Sequence, residues 1–319
     1  MDEKLKLGIA SIRFPMALLV VLIHCTLNTE QPFLKAFMNG GGKLATIAVP
    51  TFFFLSGYLF QEGNSNLERY KKKIRKRAGS VLVPYIVFNI IAIIIHYIKF
   101  PCDVNVGDFL YRLIVEPQDF PLWYLQNLMV LFLLTPLIML PHKKWLDFSY
   151  LALTIIVFCS FEGDKVLFLK VRNWGFCFYN IGAFCNRYFH DLLISKHVAV
   201  LYFILGMAAF AASIVTNNYY LIQYYNLFIV LLLVFNLRAV GKIFSVFKSY
   251  SKYSSFIYFA HTILVAGICV NLVNQYFCNV IGYLVTPLLV ATILIIVYET
   301  LYRLMPNTFS LIIGSKVKK

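Results

Sequence analysis

LGIASIRFPMALLVVLIHCTLN, residues 7–28, is apolar over a length that crosses a bilayer, yet it carries an arginine at 13 and a histidine at 24. About 20 apolar residues make a spanning helix. Ionisable groups inside such a helix are costly enough that they normally face a bundle interior or a wet cavity. At about 100° per residue, the eleven steps from Arg13 to His24 come to three turns and roughly 20°, which puts both side chains on one face about 16 Å apart along the axis. Arg13 falls in the half nearer the N-terminus and His24 in the other half, so one stripe carries polar groups through most of the hydrocarbon. Pro15 stands between them and removes a helical hydrogen bond. Taken singly, each residue has an ordinary reading: Arg13 snorkels to headgroups, and His24 bonds a neighbouring helix. Their alignment favours a polar passage.

The rest of the chain extends the pattern. Of its 319 residues 60% are hydrophobic and 13% charged, whereas soluble domains carry about 25% charged residues. Apolar runs recur near 8–28, 43–61, 80–99, 121–141, 147–161, 173–190, 198–216, 219–236, 253–274 and 280–302. They imply an all-α polytopic membrane protein of about ten transmembrane helices. No polar stretch is long enough for a soluble domain and no repeat is evident, so residues 1–319 read as a single transmembrane domain ending at Lys319. The first run is expected to remain uncleaved, since it is long for a signal peptide and lacks a small-x-small site. With the N-terminus inside, 21 of the 29 Lys and Arg fall on cytoplasmic segments and seven on outer ones, Arg13 lying within a span. The positive-inside rule therefore places both termini in the cytoplasm of a cell-membrane protein. The net charge of +15 follows from topology, and no nucleic-acid partner is expected.

Cysteine points to no further chemistry. Seven are present without a C-x-x-C pair, and no ligand spacing suggests a metal. Cys102 and Cys278 fall on the outer side, where a disulfide is permitted but nothing in the sequence joins them.

Five further segments carry polar or aromatic groups at span ends. VPTFFFLSGYLFQ places small Ser56 and Gly57 together, where a helix or a ligand can approach closely. FLSGY is no nucleophile elbow. RYKKKIRKRAGSVLVPY has seven basic residues between Arg69 and Arg77. It reads either as attraction to anionic lipid or as a cradle for a phosphate-rich cytosolic ligand, with Arg75 and Arg77 nearest the third span. FPLWYLQNLMVLF sets Trp123 and Tyr124 at the outer end of the fourth span, as an aromatic belt or as a platform for an acceptor, with Asn127 a turn inward. YSKYSSFIYFAHTILV brings Tyr258 and His261 to one face of the ninth span. Glu299, in the tenth span, is a partner for Arg13 if those helices pack.

In order along the chain, these residues resemble the type 3 integral-membrane acyltransferases. Arg13 and His24 reproduce that family's R-x₁₀-H spacing, and FFFLSGY (52–58) is similar to its F-F-x-x-S-G-[YF]. KRAGSVLVPY is similar to its basic stretch ending in Pro-Tyr, LWYL (122–125) to its W-[FY]-L, and SSFIYFAH (254–261) to its S-x-x-[IV]-Y-x-x-H. Many members carry a fused esterase-like domain; none is expected here, so the chain resembles the stand-alone O-acetyltransferases of surface polysaccharides.

The resemblance implies an acyl donor, most often cytosolic acetyl-CoA, and an acceptor hydroxyl on a cell-surface or lipid-linked glycan, with no permanently bound cofactor. Arg13, Arg75 and Arg77 would bind the donor, and Trp123, Tyr124, Asn127 and Ser56 the acceptor. His24 would act as general base or be acylated itself, with Tyr258 and His261 bonding an oxyanion or positioning His24. The carboxylate partner of His24 stays open among Glu30, Glu116, Asp119, Glu162 and Asp164. A transporter or flippase for lipid-linked saccharides would use the same stripe as its path. A passive scaffold has little reason to keep Arg13, His24 and His261 in lipid.

Overall fold

The computed structural model describes residues 1–61, 67–100, 105–139, 143–160 and 170–314. Cys102, His142, Glu162, Asp164 and the closing basic run lie outside them. Among the described residues no β-strand forms. The helices are α1 (Glu3–Ile23), α2 (Pro32–Ala45), α3 (Ala48–Gln61), α4 (Leu67–Arg77), α5 (Val83–Lys99), α6 (Val106–Ile114), α7 (Trp123–Met139) and α8 (Lys144–Ser160). They continue with α9 (Asn173–Tyr188), α10 (Lys196–Thr216), α11 (Tyr219–Phe235), α12 (Leu237–Ile243), α13 (Ser254–Ala260), α14 (Gly267–Tyr276), α15 (Val280–Leu304) and α16 (Pro306–Ile312). Two π-helical turns, Ala78–Leu82 and His261–Ala266, link α4 to α5 and α13 to α14.

Each apolar run is helical over most of its described residues, but not every helix is long. Among the described residues five stretches are long and apolar enough to cross a membrane: Glu3–Ile23, Pro32–Gln61, Leu67–Lys99, Lys196–Thr216 and Val280–Leu304. Two bent pairs raise the number to seven; one joins Tyr220–Phe235 to Leu237–Ile243 through 78°. The runs expected to span at α7, α8 and α9 make helices of 17, 17 and 16 residues, about 25 Å each at 1.5 Å per residue. The chain is a multi-pass membrane protein, with five to seven spans by length among the described residues.

Helix α1 starts on an Asp2 cap, which accepts from the Lys4 amide at 3.3 Å, and continues through Pro15. It closes at Ile23 rather than running to residue 28, and His24 is its C-cap. Beyond it the chain turns toward α14, where the Asn28 amide donates to Asn274 Oδ1 at 2.9 Å. His24 therefore stands at a helix end, where the chain leaves the α1 axis.

At the centre, α3 packs on α9, whose residues are buried nearly throughout. The contact is backbone to backbone. A Cβ on Gly57 would collide with the Tyr179 carbonyl oxygen, and one on Gly182 with that of Phe54. Hydrogen at both positions is what lets the helices touch, as the Ser-Gly pair suggested. Around them Phe53, Tyr58, Tyr179 and Phe60 fill the core. By contrast α10, apolar all round, buries only Gly206 and Ser213 and turns most of its surface outward. A helix that is apolar on every side and still exposed suits a lipid-facing position. The six described cysteines are free, and the Cys278 thiol donates to the Asn28 carbonyl at 3.3 Å.

Candidate active site

Two of the cavities beside α1 take in its ionisable residues. The first, about 450 Å³, is lined by Arg13, Arg77, Lys252, Ser56, Ser80, Tyr124 and Tyr258 among others. Arg13 is exposed into this space and Arg77, at the end of α4, is half-buried beside it. Neither guanidinium makes an ion pair with a described carboxylate, although Arg77 lies over the Phe132 ring at 5.7 Å. Cations turned into a cavity without counter-charges attract an anion, and the planar fork suits phosphate oxygens. Ser56 and Tyr124 share a hydrogen bond at 3.1 Å on the same wall. We call this the basic cavity.

The second, about 180 Å³, is lined by His24, Trp123, Trp174, Arg172, Gln223, Asn226, Thr46 and again Tyr258. The Trp123 and Trp174 rings meet edge-on at 5.1 Å, and the Arg172 guanidinium lies 4.5 Å above Trp123. Aromatic faces beside amides and a guanidinium suit a polyhydroxylated ring, whose C–H faces stack while its hydroxyls take hydrogen bonds. We call this the aromatic cavity. Arg13 and His24, one stripe in sequence, thus open into different chambers.

Tyr258 is the wall they share. Its hydroxyl donates to the Pro121 carbonyl at 2.5 Å, and its ring packs against Tyr124 at 5.3 Å and Phe52 at 6.3 Å. One turn on, His261 is fully buried and its ring lies 5.2 Å from that of His24. His261 also begins a π-helical turn, and the other π-helical turn begins directly after Arg77. Such turns are rare and concentrate at functional sites, because the extra residue re-aims a side chain.

A family model described as an acyltransferase domain matches residues 7–299, spanning Arg13, His24, Tyr258 and His261. The chain belongs to the acyltransferase 3 family. No curated protein and no solved structure matches it. The protein is an integral-membrane acyltransferase.

Several residues of this acyltransferase sit elsewhere than the sequence suggested. Tyr124 and Ser56, expected with the acceptor, line the basic cavity. Asn127 lines neither cavity; it is fully buried, donating to the Lys170 carbonyl at 3.0 Å and accepting from the Arg172 amide at 2.9 Å. Its amide can do both at once, so it pins the segment that carries Arg172 over Trp123. Arg75 is exposed and lines neither cavity, because it lies two residues before Arg77 on α4, on a different face. Glu299 pairs with Lys252 at 2.8 Å and accepts from Tyr253 at 2.6 Å, rather than meeting Arg13.

Among the described outer acids, Glu30 pairs with Lys35 at the surface and Glu116 accepts from Tyr111 at 3.0 Å. Asp119 alone is buried. It accepts from Thr262 at 2.5 Å, its second oxygen has no partner, and burial pushes its carboxyl up to about 6. The sequence reading also missed Arg172, Trp174 and Lys252. Arg172 carried one signal, a cation just before Trp174 at a span end assigned to the outside, where positive charge is scarce.

Proposed function

We propose that this protein moves an acetyl group from cytosolic acetyl-CoA to a hydroxyl of a cell-surface or lipid-linked glycan. It would do so as one domain of about ten spans in the cell membrane, both termini in the cytoplasm. In that orientation the basic cavity faces the donor's side and the aromatic cavity the acceptor's. The observation that carries the proposal is that two chambers of opposite character share Tyr258. A thioester held by phosphate contacts on one side and a hydroxyl held by stacking on the other meet only there.

Arg13 and Arg77 bind the donor's phosphates, and Ser56 and Tyr124 line the path of its arm. Trp123, Trp174 and Arg172 hold the sugar ring, with Asn127 fixing Arg172 from behind. His24 takes the proton of the acceptor hydroxyl as that oxygen bonds to the thioester carbonyl carbon. The carbon–sulfur bond then breaks, and the proton passes from His24 to the departing thiolate. Free thiol and ester are the products, with no redox change. Tyr258 must swing from Pro121 for the thioester to reach His24, and its freed hydroxyl is then placed to donate to the carbonyl oxygen.

The test is release of CoA thiol from acetyl-CoA by the purified protein when glycan acceptor is supplied, with mass spectrometry of the glycan for an acetyl-sized gain. Thiol release coupled to that gain supports transfer. Saccharide carried across a vesicle without donor consumption would overturn it in favour of a flippase.

A further inference from the structure

His261 Nδ1 lies 3.0 Å from the Tyr258 carbonyl oxygen and 3.2 Å from that of Ile257. A carbonyl oxygen only accepts, so Nδ1 carries a hydrogen and shares it between the two. A neutral imidazole has one N–H, which leaves Nε2 a bare lone pair. That atom is buried without a partner, on a side chain with no exposed surface. Leaving such a group unsatisfied is costly, and native proteins seldom do so without a use for it. The ring is also stiffly held. Nδ1 is tied to its own helix, and the next residue, Thr262, is anchored on Asp119.

Two consequences follow. His261 cannot donate from Nε2, so it is no oxyanion donor. Its unused function is to accept, and the nearest ring with an N–H to offer is that of His24, 5.2 Å away between centroids at a tilt of 44°. His24 is a helix C-cap, half-buried at the edge of the aromatic cavity and in ring contact with His261.

We infer that His261 is the positioning residue for His24: its Nε2 accepts the N–H of one His24 nitrogen and so fixes the tautomer in which the other nitrogen presents its lone pair to the acceptor hydroxyl. The same contact holds the imidazolium that forms when His24 takes the proton, because a charge-assisted N–H bond is stronger than a neutral one. Here an imidazole does the orienting that a carboxylate performs in other base–orienter pairs. The described carboxylate nearest in sequence to this turn's partners, Asp119, is bonded to Thr262 rather than to either ring. The inference rests on His24 being the base of the proposed transfer.

The test compares His261→Leu with His261→Gln in the intact protein, reading CoA release against both substrates. Leucine offers no acceptor, and kcat is expected to fall about 10–100-fold while both KM values stay within about twofold, the signature of a lost orientation rather than lost binding. Glutamine reaches the same place with a carbonyl oxygen and is expected to restore at least fivefold over leucine. Equal activity of leucine and wild type, or no advantage of glutamine over leucine, overturns the inference. Histidine ¹⁵N spectra of the wild-type protein provide a readout that needs no variant to fold. His261 is expected in the Nδ1–H form, and an Nε2–H form would overturn the assignment. Failure of wild type itself to release CoA would instead strike the proposed reaction and leave the tautomer assignment standing on the spectra.

Discussion

The basic cavity and the aromatic cavity have one residue, Tyr258, in common and contrasting chemistry around it. The larger has two guanidinium groups without carboxylate partners among the described residues, with hydroxyls on one wall. The smaller has two tryptophans, a guanidinium laid on one of them, and a histidine at its edge. In the proposed reaction the larger takes a long polyanion, the smaller a compact ring, and the transfer falls to the wall between them. The contrast also explains why one helix carries both an arginine and a histidine. In the proposed reaction Arg13 serves the donor and His24 the transfer, and roughly three turns of α1 separate the two tasks.

Removing the base should break transfer while leaving both chambers intact. His24→Ala is expected to cut kcat at least 100-fold, within the 10²–10⁴ range that a positioned general base contributes. Donor and acceptor binding, measured separately, should persist in the inserted protein. Wild-type-like turnover would remove His24 from the reaction. Arg13→Ala should act on one chamber only. A hydrogen bond to a charged group is worth about 1.5–3 kcal/mol, so the donor KM should rise about 10–100-fold with acceptor KM unchanged. Arg13→Lys should fall between, keeping charge but losing the fork. An acceptor KM that moved with the donor KM would show the two cavities to be one.

Asp119 sharpens the comparison from the aromatic side, because it anchors Thr262 two residues from Pro121, the carbonyl that holds Tyr258. Its folded pKa of about 6 lies above the ordinary 3.8, so the folded state prefers the neutral carboxyl. Stability from this group is full below about 3.8 and is lost as pH rises through about 6. At 1.36 kcal/mol per pKa unit, the loss above pH 7 is at most about 3 kcal/mol. Asp119→Asn, which cannot ionise, should therefore raise the unfolding midpoint relative to wild type at pH 8 and leave it nearly level at pH 4. A wild type that outlasts the variant at pH 8 would mean that the charged carboxylate has a partner, and that the wall is built for an anion.

The intramembrane ionisable groups were the legible part of this site. Arg13, His24 and His261 break an apolar pattern, and the price of burying such groups marks them without any knowledge of the fold. The Ser56–Gly57 pair was legible for the same kind of reason, since small residues in an aromatic run signal close approach. Which chamber each residue faces was not legible. Tyr124 and Trp123 are adjacent yet line different cavities, and only the packing of α7 against α3 and α9 decides that. Asn127 gave a polar signal, but its partners lie 43 and 45 residues away. Where α1 ends, and where the π-helical turns fall, depends on contacts with α14 and the loop before α7 that no local pattern encodes.

The smallest expected effect separates two arginines that the sequence treated alike. On a helix, two residues are about 200° apart, so Arg75 and Arg77 cannot point the same way. Arg77 lines the basic cavity and lies over Phe132; Arg75 is exposed on α4 and lines neither chamber. If the basic run served only to attract a polyanion to the surface, the two would be equivalent, and losing either would cost the same modest amount, more at low salt than at high. If instead the donor is gripped inside the cavity, the two must differ. Arg77→Ala should raise the donor KM about tenfold and keep most of that effect in added salt, because a half-buried pair is screened less than an exposed one. Arg75→Ala should stay within about twofold of wild type at moderate salt, since exposed charges contribute little. Titration of acetyl-CoA turnover at two ionic strengths reads both at once, and equal losses from the two variants would shift the donor's phosphates out of the cavity and onto the surface of α4.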